Sequence, residues 1–154
     1  MAIERAGYGE NGEYRWHIEP DESAVITAWK GKERRLHIPE TLEGRRVTGI
    51  GGGAFARTEG LFYVKLPAGA VTVGPSAFAG CVHLNWVTLP DGLMSIGEEA
   101  FADCSALFHI RIPESIAFIG DRAFAGCRRL RRVRLPEGMS EVGGGTFEDS
   151  TRLD

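Results

Sequence analysis

Apolar side chains recur along this chain at a fixed interval. Phe55, Phe78, Phe101, Phe124 and Phe147 stand 23 residues apart at every step, and Gly51, Gly74, Gly97, Gly120 and Gly143 repeat the interval. Leu61, Leu84, Leu107, Leu130 and Leu153 form a third column, and Pro67, Pro90, Pro113 and Pro136 a fourth. Cys81, Cys104 and Cys127 form a fifth, with Thr58 and Ser150 in the end copies. A register shared by five columns marks a tandem repeat whose units bury their apolar faces only by stacking on one another.

Within one unit the pattern changes twice. Val64 and Leu66 alternate with Tyr63 and Lys65, the period of a strand with one buried face. Pro67 ends that strand because it has no N–H for a ladder. Val73 before Gly74 predicts a second short extended piece and a turn. Ala77, Phe78 and Cys81 have the spacing of a single helical turn packed inward. The first copy departs from this plan. Leu36, Ile38 and Pro39 keep the strand, but the path from Pro39 to Gly51 is five residues longer than that from Pro67 to Gly74. The insert holds Glu43, Gly44, Arg45 and Arg46 and reads as a polar turn.

Upstream, Tyr14 to Ile18 and Ala24 to Trp29 are strand-like around Glu19-Pro20-Asp21-Glu22-Ser23, a hairpin signal. The expected organisation is a flexible N-terminus over residues 1–11, a β cap over 12–35 and a five-copy array over 36–154, all in one domain. Leu153 and Asp154 open a further coil with no capping pattern after it.

Composition changes this picture little. Glycine, at 21 of 154 residues, is about twice its usual share, and with no Gly/Ser tract it must serve turns. A net charge of −3 implies no polyanionic or membrane partner. No apolar run is long enough for a transmembrane helix. Met1 to Glu10 has no apolar core of a signal peptide, so the chain as given reads as cytoplasmic, with its compartment unassigned. Three cysteines argue against a disulfide framework.

The unit L-x-x-[VI]-x-[LI]-P-x-x-φ-x-x-[VI]-G-x-x-A-F-x-x-C-x-x, with φ apolar, resembles the BspA-like leucine-rich repeat, a bacterial variant of that class. The resemblance covers roughly residues 36–152 and includes the longer first copy "IPETLEGRRVTGIGGGAF". It implies a right-handed leucine-rich-repeat solenoid, α/β or mainly β. A parallel sheet would line the concave side, short strands and single helical turns the convex side, and a β-hairpin the N-terminal end. It also implies roles in adhesion and protein binding, often at the cell surface or after secretion.

Chemistry is hard to place on the repeat. Each cysteine sits three residues after the inward Phe, where Thr58 and Ser150 stand elsewhere, so a small buried plug explains the ladder better than a metal or redox site. His17, His37, His83 and His109 fall in different columns, and no His/Cys, Ser/His/Asp or metal-spaced grouping appears. "GIGGGAF" looks like a phosphate loop but lacks the Lys-Ser/Thr that follows one, and is the first G-x-x-A-F turn. Glu98 with Glu99, and Glu148 with Asp149, read as solvated turns. Neither an enzyme nor a cofactor is expected.

The outward strand positions differ. Stacking sets Arg35, Tyr63, Trp86, His109 and Arg132 in one ladder, and His37, Lys65, Thr88, Arg111 and Arg134 in a second. A flanking column holds Arg34, Phe62, Asn85, Phe108 and Arg131. A one-residue slip would hide the aromatics only by exposing Val64, Leu66, Val87 and Leu89. Exposed aromatics beside arginines are the composition of interface hot spots. The expected partner-binding set is therefore Phe62, Tyr63, Lys65, Trp86, Phe108, His109, Arg111, Arg131, Arg132 and Arg134. A protein partner with an acidic or polar surface fits best and a glycan stacking on Tyr63 and Trp86 second. The net charge and the acidic row Glu40, Asp91, Glu114 and Glu137 argue against nucleic acid. The alternative is a structural spacer that self-assembles, a second copy stacking on the C-terminal coil.

Overall fold

The computed structural model describes residues 2–131, 133–139 and 142–150. Two parallel sheets run through the first four coils of the array. In each of these coils one strand contributes to the first sheet, a turn opened by proline follows, and a second strand, two residues long in all but the first coil, contributes to the second sheet. The first sheet contains β5 (Arg35–His37), β8 (Tyr63–Lys65), β10 (Trp86–Thr88) and β12 (His109–Ile110), stacked in that order. The second contains β7 (Arg45–Ile50), β9 (Thr72–Val73), β11 (Ser95–Ile96) and β13 (Phe118–Ile119). Four antiparallel strands extend the second sheet at its N-terminal end: β1 (Ile3–Arg5), β2 (Tyr8–Glu10), β3 (Tyr14–Ile18) and β4 (Ala24–Trp29). β4 then pairs parallel to β7.

The hairpin around residues 19–23 is thus present, and it docks edge-on to the first coil. Residues 1–11, expected to be flexible, contain the antiparallel pair β1–β2. Gly9 lies opposite Trp16, where the buried indole leaves no room for a Cβ. In the insert of the first copy, β6 (Thr41–Leu42) pairs antiparallel to β7. The turn is Glu43-Gly44 alone, with φ of 49° and 76°, the left-handed pair that a tight two-residue hairpin requires. Arg45 and Arg46, expected in the turn, already belong to β7.

The core follows the columns. Phe55, Phe78, Phe101 and Phe124 are buried, and their rings stack nearly parallel at 5.0, 5.2 and 5.4 Å. Phe147 continues the stack at 5.8 Å, and Trp29 of the cap closes its other end against Phe55 at 5.5 Å. Stacked rings of this kind add about 0.5–1.5 kcal/mol per pair beyond the area they bury.

The expected single helical turns are replaced by runs of β-turns. Gly53, Ser76, Glu99, Arg122 and Gly145 all have φ between 56° and 66°, and Arg57, Gly80, Asp103, Gly126 and Asp149 between 58° and 73°. A left-handed residue cannot propagate a right-handed helix. It closes a tight turn instead, as in Ala77 N–H to Gly74 O and Ala79 N–H to Ser76 O. The intervening N–H groups are thereby freed for the next coil: Phe78 donates to Ala100 O at 2.8 Å and Gly80 to Ala102 O at 2.8 Å. A helical turn would keep these donors within its own coil.

Candidate binding face

Val64, Val87 and Ile110 are buried, so the residues on either side of each point away from the core. Register then sets Arg35 beside Tyr63, Tyr63 beside Trp86, and Trp86 beside His109. Their rings form a continuous edge-to-face ladder. Tyr63 meets Trp86 at 6.3 Å and 89°, Trp86 meets His109 at 5.6 Å and 86°, and His37 joins diagonally at 5.9 Å from Tyr63. These centroid spacings exceed the strand spacing of about 4.8 Å because perpendicular rings need more room than stacked ones.

Exposure is uneven along the ladder. Trp86 is 51% exposed, Phe108 47% and Phe62 37%, whereas Tyr63 and His109 are half-buried. The Tyr63 hydroxyl lies 2.9 Å from Thr88 Oγ1 in the next coil, which anchors the ring. The Arg35 guanidinium lies 5.4 Å from the Tyr63 ring centre and that of Arg34 5.9 Å from Phe62, both within cation–π range.

Lys65, Arg111, Arg131 and Arg134 are exposed on the same side of the array. Arg132 lies outside the described residues. The acidic row is exposed as well, but two of its members have local partners. Arg111 Nη1 is 3.4 Å from Asp91, and both Glu40 oxygens accept from the Ala68 N–H at 3.0 Å. The structure therefore places nine of the ten predicted residues in one band.

Arg34, Arg35, His37 and Thr88 were missing from the predicted set, although each stands in a column that contains a predicted residue. A second omission lies on the other sheet. Val71, Met94 and Phe118 are exposed there, Phe118 at 58%, among the uncharged Thr72, Ser95 and Ala117. Their signal was a large apolar residue one or two places before the buried Val73, Ile96 and Ile119.

The cysteines are fully buried. Each thiol donates to the carbonyl of the Phe one coil earlier, Cys81 to Phe55, Cys104 to Phe78 and Cys127 to Phe101, all at 3.1 Å. Among the described residues no group of three or more His, Cys, Asp or Glu could hold a metal ion, and no helix is long and apolar enough to cross a membrane.

The family model of the BspA type leucine rich repeat region matches residues 36–154 in six copies, one more than the Phe column counts. Among solved structures, a leucine rich repeat protein of T. pallidum is 33% identical with a TM-score of 0.87, over 91% of this chain and 66% of that one. A leucine rich cell surface protein of Faecalibacterium prausnitzii A2-165 is 31% identical with a TM-score of 0.84, over 99% of this chain and 42% of that one. A leucine-rich repeat protein of Bacteroides capillosus is 30% identical with a TM-score of 0.69, over 89% of this chain and 97% of that one. This chain thus spans about two thirds of the first protein and under half of the second. No curated protein matches it.

Proposed function

Because the chain belongs to the BspA-type leucine-rich repeat family, we propose that it is a non-catalytic binding module that holds a protein partner on the outward face of β5, β8, β10 and β12. The observation that carries this reading is the ladder of aromatic rings flanked by arginines, which packing of the repeat does not require. Trp86, Phe62 and Phe108 supply the apolar anchors. Arg34, Arg35, Lys65, Arg111, Arg131 and Arg134 favour an acidic or polar partner surface. The Tyr63–Thr88 hydrogen bond and the ring contacts hold the face in place before binding, which lowers the ordering cost of association.

The perpendicular rings favour a protein over a glycan. Sugar rings stack on flat aromatic faces, and successive right-angled contacts break the ladder into single faces. An adhesive role is consistent with the cell surface protein of F. prausnitzii, whose described location is its own.

The test is a Tyr63→Ala, Trp86→Ala double variant measured against an isolated partner by calorimetry. Two hot-spot truncations of about 2 kcal/mol each predict a loss of affinity approaching a thousandfold. Phe118→Ala, on the other sheet, should bind within about twofold of the parent. A double variant that binds as tightly as the parent overturns the reading.

A further inference from the structure

The N-terminal cap closes only one of the two sheets. The second sheet continues past the first coil through β4, β3, β2 and β1, whereas among the described residues the first sheet stops at β5, which pairs with β8 alone. The register shows which backbone groups this leaves over. Arg34 O accepts from Phe62 and Tyr63, Ile38 N–H donates to Lys65 O, and Leu36 lies between them in the ladder. Residues 34, 36 and 38 therefore direct their N–H and C=O groups at β8. In a strand the alternate residues point the other way, so the groups of Arg35 and His37 face the side where no described strand lies.

Two features make this edge different from that of β1. Leu36 is buried, so β5 is held by the core, whereas all three residues of β1 are exposed. The edge also carries more positive than negative charge: Lys30, Lys32, Arg34 and Arg35 are exposed around it beside the imidazole of His37, against the exposed acids Glu33 and Glu13. A second copy of the same edge would bring the same charges and be repelled, whereas an acidic strand would be attracted.

We propose that the free edge of β5 accepts an extended acidic segment of a partner as an additional strand of the first sheet. The backbone groups of Arg35 and His37 supply the main-chain hydrogen bonds, in the manner of strand addition. Carboxylates on the added strand lie beside Arg35 and His37, and the cations at Lys30 and Lys32 repel basic strands. The edge borders the ring-bearing face, since the Arg35 and His37 side chains lie on that face, but the added strand would be held by main-chain groups that the face does not use, and these are tested separately.

The probe is a short fluorescein-labelled peptide of alternating Glu and Val, followed by anisotropy. A Lys/Val peptide and a Glu/Val peptide N-methylated at alternate amides serve as comparisons. The acidic peptide should bind, and both comparison peptides should bind at least about tenfold more weakly, the worth of one lost net hydrogen bond or charge contact. His37→Pro removes an edge N–H that β8 does not use, and should weaken the acidic peptide by about tenfold or more. Phe118→Ala should leave it unchanged. No binding of the acidic peptide, equal binding of the N-methylated one, or an unaffected His37→Pro protein with a native circular-dichroism spectrum each overturns the proposal.

Discussion

Cys81, Cys104 and Cys127 combine two properties that one position of the repeat needs: small volume and a donor aimed at the previous coil. Ser150 occupies the same place and donates to Phe124 O at 2.9 Å. Thr58, in the first coil, has no earlier coil to reach and bonds its own Phe55 O at 2.7 Å. Their role as buried plugs could be read from the column they share, but the hydrogen bond could not, because its acceptor belongs to another copy. Burial pushes the Cys127 thiol up from 9.0 to about 12. The thiolate is the reactive form, so Cys127 should resist iodoacetamide in the native protein near neutral pH and react once the chain is unfolded in denaturant. Protonation is favoured in the folded state. Its contribution to stability is therefore full below 9.0 and declines as the pH rises toward about 12, which denaturant melts across that range would detect.

The turns between the sheets carry the main difference between expected and observed elements. The spacing of Ala77, Phe78 and Cys81 fits one turn of helix as well as it fits three consecutive β-turns, since both put Phe78 inward. Backbone φ distinguishes the two, and non-glycine residues such as Glu99 and Arg122 hide it. The glycine column has a different cause. Gly74, Gly97 and Gly120 do not need positive φ; a Cβ on Gly97 would lie 2.8 Å from Pro75 N and 2.9 Å from Gly74 C. The backbones of adjacent coils approach too closely for a side chain there. Gly97→Ala should therefore cost about 1–3 kcal/mol, as overpacking does. Gly92, which has open space around it, should accept alanine with a gain of up to about 1 kcal/mol by restricting the unfolded chain. Chemical denaturation of the two variants separates these outcomes.

At the scale of the whole molecule, Arg45 joins the cap to the array. Its guanidinium reaches Glu4 of β1 at 2.8 Å and Glu22 of the β3–β4 turn at 2.6 Å, and Trp16 Nε1 donates to the same Glu4 carboxylate at 3.1 Å. The hydrogen bond from Arg45 holds the Glu4 carboxyl below its usual value of 4.5. The stability this adds is present above 4.5 and is lost as the pH falls through the depressed folded value. Glu4→Gln should therefore lower the melting temperature near pH 7, and parent and variant should converge in strong acid. Melting curves of equal difference at both ends would contradict this. These contacts add to the β1–β2–β3 backbone ladder that holds the opening residues although their pattern is polar. A polar segment becomes an element when a distant cation completes it, and Arg45 lies 41 positions downstream of Glu4.

What the chain's own pattern settled was the solenoid, the strand of the first sheet, the inward Phe, Leu and Cys columns, and the outward column of rings. A side chain met by its own equivalents in the neighbouring coils has its environment written into the repeat interval. Tertiary structure alone decided what happens once, or between unlike parts. The cap extends one sheet and leaves the other open at β5. Tyr63 and His109 are half-buried while Trp86 stands out. Arg34 and Arg35 lie over the first rings, and an uncharged stripe emerges at Phe118. These outcomes depend on how unlike residues meet across neighbouring coils, which the repeat interval does not specify.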